Sequence, residues 1–326
     1  MDELDVGILR ELSRGQVIWF GSLDPRLSAA EIGRRLRVDR GTVGARLRAW
    51  ERSGFLRGHE VVPSPLLFGA AFAGGSLRVD DVTAKPRILA DLGLVPGVVS
   101  AVDHVGAWMS LLYVFEVRDT LERSRQLLLR LEGVREATPC VPFRAPEPAV
   151  APSRLDWKIL KALRRGAKRP LGVIASDAGV GTKTLTRRME TLIRGKAIWY
   201  VPLLDFARYT NATVARFLVT LSDGGNSLRT SERIRARLPG VTQVVDARAM
   251  MDTTEGVPRV LDVGAHLNSV GDAEDRQREI RGLPGVEDVE ILFPRRFYMY
   301  PAWFDERIAY ELTRLERPRP PTRPKA

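Results

Sequence analysis

The chain of 326 residues has a single cysteine, Cys140, and only three histidines, His59, His104 and His266. One cysteine excludes an intrachain disulfide and any metal site built from several cysteines. The histidines lack the short spacing of zinc ligands, so no metal site is predicted. No apolar run approaches the roughly 20 residues of a membrane-spanning helix, and the acidic N-terminus lacks the hydrophobic core of a secretion signal. We therefore expect a cytoplasmic protein without membrane contact.

Sequence motifs of common enzyme classes are also missing. No glycine-rich phosphate loop, nucleophile elbow or zinc signature occurs in the chain. The run Gly179-Val180-Gly181-Thr182-Lys183-Thr184 resembles a phosphate loop only superficially, because the first glycine at the required spacing is absent. The sequence thus predicts no catalytic residues, no cofactor and no enzymatic activity.

Lysine is scarce, and the net charge of +11 comes from 44 Arg and 7 Lys against 40 acidic residues. Genome composition alone can favour arginine over lysine, so the distribution of charge is more informative than its total. Residues 1–150 carry a net +1 and residues 151–326 carry +10, of which residues 151–202 account for +9. Such a concentration is typical of a segment that contacts nucleic-acid phosphates.

The chain contains the same series of sequence motifs twice. The motif Leu4-Asp5 followed by Ile8-Leu9 returns as Leu155-Asp156 followed by Ile159-Leu160, and a Pro-Gly-Val motif at 96–98 returns at 239–241. The order of the matches is the same in both halves while their offsets drift. This pattern indicates a degenerate tandem duplication.

Each repeat begins with a predicted trio of helices. In the first, Ser28 and Glu31 form a capping box, Asp39 caps the third helix, and Gly54 ends it. In the second repeat the helices are expected at 157–163, 174–178 and 184–194. Short extended segments at 59–62 and 198–201 follow the two trios. Three helices with a short turn before the third and a trailing strand predict a winged-type helix-turn-helix.

Behind each trio, 80 to 90 residues alternate in the order strand, helix, strand, strand, helix, strand. This order predicts an antiparallel sheet with both helices on one face, the ferredoxin-like arrangement. The predicted fold class is therefore α+β, with two winged-type helix-turn-helix domains alternating with two ferredoxin-like βαββαβ domains. The expected domains are 1–62 and 154–202 (helix-turn-helix), 63–143 and 203–300 (βαββαβ), a linker at 144–153, and a C-terminal helix with a basic proline-rich tail at 301–326.

These residues resemble the Lrp/AsnC family of feast/famine transcriptional regulators. The resemblance rests on Thr42-Val43, Arg46-Leu47, Trp50-Glu51 and Gly54-Phe55-Leu56, followed by a βαββαβ module with Pro-Gly-Val before its second strand. The resemblance covers nearly the whole chain, because it applies to each of the two repeats. It implies a sequence-specific transcriptional regulator that acts on double-stranded DNA as a covalent pseudo-dimer. It also implies a homo-oligomer assembled through the βαββαβ domains, and it allows a small-molecule effector.

Two loops depart from the family pattern. The effector loop of the family typically reads Gly-x-Tyr/Trp-Asp, whereas the first repeat has Gly106-Ala107-Trp108-Met109 and lacks the acid. The corresponding stretch of the second repeat, 250–256, does not match. The effector-binding residues that the resemblance implies are Gly106, Trp108 and Met109.

The third helix of each trio is the expected recognition helix, which enters the major groove. The helical periodicity and the resemblance together predict the DNA-binding residues Arg40, Thr42, Arg46, Arg48, Lys183, Thr184, Arg187 and Arg188. Arg46 and Arg188 lie near the edge of the apolar face, so an ion pair within the protein is the competing role. Arg187 has no basic counterpart in the first repeat, which has Ala45, so the two repeats should prefer different half-sites. Arg164 is expected to contact phosphate.

Two other functions stay open. Sirohaem decarboxylases share this pair of folds, and they use histidines and arginines of the sheet module to hold carboxylates. His104 and His266 on predicted strands are the residues that favour this alternative. The other is a scaffold that no longer binds DNA, against which the charge of residues 151–202 argues.

Overall fold

A computed structural model of the protein describes residues 3–12, 28–138, 140–143, 145–164, 169–208, 213–222, 225–238, 241–246, 259–267 and 269–315. The mixture of helices and antiparallel sheets confirms the α+β class. Among the described helices, none is long and apolar enough to cross a membrane. Residues 13–27, the second effector stretch at 250–256 and residues 316–326 of the predicted tail lie outside the described residues.

The two repeats have the same order of elements. The first comprises α1 (Glu3–Leu12), α2 (Ala29–Leu36), α3 (Arg40–Ser53), β1 (Leu56–Pro63), β2 (Ala71–Val79), α4 (Lys85–Asp91), β3 (Val98–His104), β4 (Trp108–Phe115), α5 (Asp119–Leu129), β5 (Val134–Ala137) and β6 (Val141–Phe143). The second comprises α6 (Arg154–Arg164), α7 (Leu171–Ala178), α8 (Thr182–Arg194), β7 (Ile198–Leu204), β8 (Thr213–Leu221), α9 (Ser227–Arg237), β9 (Val241–Asp246), β10 (Arg259–Leu267), α10 (Val270–Arg281), β11 (Val286–Leu292) and β12 (Pro294–Met299), followed by α11 (Ala302–Arg314). We call α1–α3 head 1 and α6–α8 head 2.

The helix boundaries in head 1 follow the predicted capping. The Ser28 hydroxyl accepts a hydrogen bond from the Glu31 amide at 3.2 Å, and the Asp39 carboxylate accepts one from the Gly41 amide at 2.6 Å. Gly54 has a φ of 76°, a left-handed conformation that glycine adopts without steric cost. These contacts satisfy backbone groups that a helix end leaves without partners. The predicted caps at Ser28, Asp39 and Gly54 are therefore observed, but the capping box is not completed, because the Glu31 carboxylate accepts hydrogen bonds from Arg34 and Arg35 instead.

The strands that follow the two heads pair with each other. β1 and β7 run antiparallel, with Glu60 opposite Val201 near the middle of the pair. Val61 of β1 packs into the core of head 2, while Leu204 of β7 packs into the core of head 1. Each head is therefore completed by a strand from the other repeat. Because the paired strands are equivalent, the heads are related by a local twofold axis.

Each βαββαβ module forms a four-stranded antiparallel arrangement, in the order β3-β4-β2-β5 in module 1 and β11-β8-β10-β9 in module 2. The helices of each module cover one face of its sheet, where alternate strand residues form the core, as ferredoxin-like packing requires. One strand breaks the symmetry. β12 leaves module 2 and pairs with β3 of module 1, whereas β6 stays in its own module beside β2.

Helix α11 packs on head 2, on the β1–β7 pair and on the sheet of module 1. Ile308 is buried in the core of that head, and Phe304 is buried beneath the β1–β7 pair. Arg164 of head 2 contacts both β1 and α11. Its guanidinium donates to the Val61 carbonyl of β1 at 2.7 Å, pairs with Asp305 of α11, and lies over the Phe304 ring of α11. Its side chain is 5% exposed. The prediction that Arg164 contacts phosphate is therefore wrong, because the side chain is committed to the interior.

Candidate nucleic-acid interface

The exposed side of α3 carries part of the predicted DNA-binding set. Val43 and Trp50 are buried in the core of head 1, which fixes the rotation of the helix. Arg40, Thr42 and Arg48 then lie on the exposed side, at the N-terminal end and middle of the helix. The first turn contains no acidic residue. This surface can accept a polyanion, although only two of its predicted members are cationic.

The exposed side of α8 is more basic. Leu185, Met189 and Leu192 anchor the helix in the core of head 2. Lys183 and Arg187 are exposed, Thr184 is half-buried, and Arg194 continues the exposed basic row in the last turn. Free cations one helical turn apart on an exposed helix suit contacts with bases and phosphates of a major groove.

Arg46 and Arg188 lie between the exposed side and the core, where both form ion pairs within the protein. The Arg46 guanidinium donates to the Asp5 carboxylate at 3.0 Å. The Arg188 guanidinium lies 3.7 Å from the Asp156 carboxylate, which accepts hydrogen bonds from the amide and hydroxyl of Ser153. The Leu-Asp motif of each repeat thus supplies an acid to its recognition helix. This geometry favours the intramolecular role for both arginines.

Acidic residues near the heads are already engaged. In head 1, the Glu31 carboxylate accepts hydrogen bonds from Arg34 and Arg35, and these lower its pKa. In head 2, Asp177 pairs with Arg169 at 2.6 Å. Because these carboxylates are neutralised locally, the exposed cations of the recognition helices determine the charge that an approaching ligand meets.

The three predicted effector residues have different surroundings. Gly106 has a φ of 81° at the tip of the β3–β4 hairpin, and Trp108 is half-buried with the Arg78 guanidinium 5.8 Å from the centre of its ring. Met109 is fully buried in the core of module 1. The structure therefore brings Gly106 and Trp108 to the surface of one hairpin, and it removes Met109 from any ligand that binds there.

A buried lysine that the sequence analysis did not single out holds this hairpin. The Lys85 ammonium donates to the Asp103 carboxylate at 2.7 Å, to the His104 carbonyl at 2.6 Å and to the Trp108 carbonyl at 3.0 Å. Burial lowers the pKa of Lys85, and Asp103 opposes that shift. All three ammonium hydrogens are thus used to close the hairpin, so Lys85 is a structural residue.

His104 is buried at the end of β3. Its Nε2 atom lies 2.8 Å from the Ser110 hydroxyl, and its Nδ1 atom is buried without a hydrogen-bond partner. Burial lowers its pKa to about 3, with smaller contributions from Arg216 and Lys85. The imidazole is therefore neutral at pH 7. No cluster of three or more His, Cys, Asp or Glu side chains suited to a metal ion occurs in the described ranges.

Known proteins match either a part of this chain or nearly all of it. Residues 1–51 match the AsnC-type helix-turn-helix domain. The comparison with curated proteins found no match. The crystal structure of the siroheme decarboxylase NirDL in complex with an iron-uroporphyrin III analogue is 15% identical, with a TM-score of 0.52 over 95% of this chain and 100% of that one.

Two solved regulators match less than half of the chain. AsnC from E. coli is 17% identical, with a TM-score of 0.33 over 44% of this chain and 92% of its own. An AsnC family transcriptional regulator from Agrobacterium tumefaciens is 19% identical, with a TM-score of 0.32 over 44% of this chain and 89% of its own. The predicted resemblance to the Lrp/AsnC family is confirmed for the first helix-turn-helix, where residues 1–51 match the AsnC-type model.

The whole-chain comparison also corrects one prediction. The absence of enzyme motifs led us to expect no enzymatic activity. An enzyme, siroheme decarboxylase, has the same fold over 95% of this chain, so that expectation is wrong. The enzyme motifs that this sequence lacks belong to other folds, so their absence carries no information about catalysis in this fold.

Proposed function

We propose that this chain, which carries an AsnC-type helix-turn-helix domain, binds duplex DNA through both heads and regulates transcription. The observation that carries the proposal is the β1–β7 pair, which relates the heads by a local twofold axis. Two recognition helices related in this way match the two half-sites of a palindromic operator. A single chain in the cytoplasm would then bind an operator in the way that a dimeric regulator does with its two subunits.

The two recognition helices support binding of unequal half-sites. Lys183 and Arg187 are exposed on α8, whereas α3 has Ala45 in place of an outward arginine. A bidentate arginine–guanine contact supplies about 1–3 kcal/mol of discrimination. The operator should therefore be an imperfect palindrome, with its more guanine-dependent half under head 2. Assembly of chains through the βαββαβ modules, and an effector at the Trp108 hairpin, belong to the same proposal.

Selection of bound fragments from random duplex DNA, at two salt concentrations, tests this function. We expect a motif with two unequal parts, and affinity that falls steeply with salt because bound cations release counterions from phosphates. Arg187→Ala should alter the motif, while Arg123→Ala, which removes the same charge from an exposed position on α5, should leave it unchanged. Retention without enrichment of any motif would contradict sequence-specific binding and favour the scaffold.

A second candidate function is decarboxylation of a sirohaem-type tetrapyrrole. The whole-chain similarity to siroheme decarboxylase favours it. His104, which is buried against Ser110, and Arg216, which pairs with Asp262, would have to exchange those partners for the substrate. Arginine and histidine side chains are suited to hold the carboxylates of such a substrate. Titration with iron-uroporphyrin III, followed by its absorption spectrum, tests this candidate. Saturable binding that His104→Gln weakens and His59→Gln preserves would support it, and an unchanged spectrum would rule it out.

A further inference from the structure

We propose that helix α9 of module 2 is a further DNA-binding surface, at which Arg229, Arg233 and Arg237 bind phosphates of duplex DNA. This inference rests on the proposed DNA binding and adds contacts that neither recognition helix makes. The three arginines recur every four residues, so they lie in one row along the helix, which we call the α9 row. All three are exposed, and at 1.5 Å per residue the row is about 12 Å long. The α9 row is therefore a continuous basic stripe outside both heads.

The packing of α9 fixes the side on which the row lies. Ile234 is buried in the core of module 2 and holds the opposite side of the helix against the sheet. The Asn226 side chain caps the helix and accepts a hydrogen bond from the Arg229 amide at 2.9 Å. Glu232 is the only acid of the helix, and among the described residues it forms no ion pair with the row. The row is thus held in place by a well-anchored helix, and its charge is not neutralised there.

Cations on comparable helices are paired with acids. On α10, the other helix of module 2, Arg276 pairs with Glu279 at 3.0 Å, and the remaining arginines of that helix are paired as well. On α4, the equivalent of α9 in module 1, Arg87 pairs with Glu132 at 2.8 Å. Within the described part of the chain, no arginine of the α9 row has an acidic partner. The row therefore differs from an ordinary charged surface helix of this protein.

The α9 row lowers the stability of its own helix. Like charges four residues apart repel each other, and the row contains two such pairs. Arg229 lies in the first turn, where the helix dipole disfavours a cation, and only Arg237 in the last turn gains from that dipole. Helix stability therefore does not explain the row, whereas an anion bound from outside would relieve the repulsion.

The dimensions and the chemistry of the row fit a phosphate backbone. One strand of duplex DNA has a phosphate about every 3.4 Å along the helix axis, so a row of about 12 Å faces three to four phosphates. Guanidinium groups bind phosphate through two parallel hydrogen bonds. A second copy of the chain offers a smaller acidic surface, since the β11 edge has Glu287 and Glu290 exposed while Asp288 is paired with Arg281. Duplex DNA is the partner that the row fits better.

The test uses the triple variant Arg229→Gln, Arg233→Gln, Arg237→Gln beside the unmodified chain. Binding to two unrelated 40-base-pair duplexes is measured by fluorescence anisotropy at several salt concentrations. We expect about tenfold weaker binding of both duplexes, because phosphate contacts carry no sequence information. The slope of log affinity against log salt should fall by about 2 to 3, since each phosphate contact contributes about 0.9. The melting temperature should stay unchanged or rise, because the substitutions remove the repulsion within α9.

A control variant removes three exposed arginines from α5 and α10 instead: Arg123→Gln, Arg278→Gln and Arg281→Gln. It should bind both duplexes within about twofold of the unmodified chain. Equal losses for the two triple variants would overturn the proposal, because net charge and not the row would then determine the affinity. Unchanged affinity and slope in the α9 variant, while Arg187→Ala weakens binding, would overturn the α9 contact and leave the proposed function standing.

Two further readouts separate DNA binding from other roles of the row. Loss of binding together with a lower melting temperature would assign the arginines to stability and overturn the proposal. Sedimentation velocity measures the assembly state of both variants at the same protein concentration. A smaller assembly of the α9 variant with an unchanged salt slope would assign the row to a second copy of the chain and overturn the DNA contact. No binding of the unmodified chain to either duplex would overturn both proposals.

Discussion

The two heads are built to one plan but are stabilised differently. In head 1 the side chain of Asp39 caps the recognition helix, and Asp5 holds Arg46 at 3.0 Å. In head 2 the capping position is Gly181, which has no side chain to accept a hydrogen bond, and the equivalent ion pair is longer, at 3.7 Å. Duplication therefore left head 1 with tighter local contacts and head 2 with most of the net positive charge.

Helix α11 compensates for the looser contacts in head 2. It supplies Ile308 to the core of that head and Asp305 to Arg164. Residues 145–153, which precede head 2 in the chain, include no equivalent helix. Head 1 therefore has the closer cap and ion-pair contacts, whereas head 2 combines support from α11 with the larger net positive charge.

The largest effect is expected from Arg164→Ala. The substitution leaves the buried Val61 carbonyl without its donor and removes the packing against Phe304. We expect a loss of about 2–3 kcal/mol in the free energy of unfolding. Urea unfolding followed by tryptophan fluorescence measures it, because Trp157, Trp199 and Trp303 all lie at head 2 or beneath it. Lys161→Ala, an exposed change on the same helix, should have almost no effect. A similar small loss for both variants would show that α11 does not stabilise head 2.

Exchange of the outward cations should reverse the electrostatic contrast. Arg187→Ala is expected to weaken binding to the selected operator by about 1–3 kcal/mol, roughly 5- to 150-fold, if the side chain contacts a guanine. Ala45→Arg places the missing guanidinium on α3, where the position is exposed, and should strengthen or redirect reading by head 1. Competition binding with single base-pair variants of the operator separates the two half-sites. Equal losses across all operator variants would assign Arg187 to phosphate and not to a base.

Acid should destabilise module 1 through His104. The pKa of this histidine is about 3 in the folded chain and about 6.5 when unfolded. Below pH 6.5 the unfolded state therefore binds a proton that the folded state does not bind. The free energy of unfolding decreases as the pH is lowered from about 6.5 to about 3, and this histidine makes it no further pH-dependent above that range. The expected slope is at most about 1.4 kcal/mol per pH unit. His104→Gln keeps a partner for Ser110 and should flatten this slope between pH 6 and 4.5.

Much of this architecture could be predicted from the sequence, because the determining contacts are local. The capping residues Ser28 and Asp39, the terminating Gly54 and the strand-helix alternation all act within a few residues of where they occur. The exposed face of each recognition helix followed from the 3.6-residue period of its apolar positions. Lys183 and Arg187 were therefore placed correctly on the exposed side of α8.

Contacts between the repeats could not be predicted in the same way. Because the two repeats are similar, each strand could pack on the head of its own repeat or on the head of the other repeat. The sequence does not show which of the two heads receives Val61 of β1. The pairing of β12 with β3 depends on the same choice. Burial also reversed the expected roles of Arg164 and Met109, since a periodic pattern identifies a helix or strand face but not the element that later covers it.

The smallest predicted effect tests the difference in helix capping. Gly181 has an extended backbone, with φ −78° and ψ 153°, and a side chain added there meets no atom within 4 Å. Gly181→Ser should therefore supply the missing cap and reduce the freedom of the unfolded chain, a gain of about 0.5–1 kcal/mol in the free energy of unfolding. The matched change in head 1, Asp39→Ala, should cost about 1 kcal/mol. Serine adds no charge, so DNA affinity should remain within about twofold of the unmodified chain. The contradicting outcome is that the serine variant gains no stability while Asp39→Ala loses it. The N-terminus of the recognition helix in head 2 would then already be fixed by contacts other than a cap. In that case the two heads would not differ in how firmly their recognition helices are held.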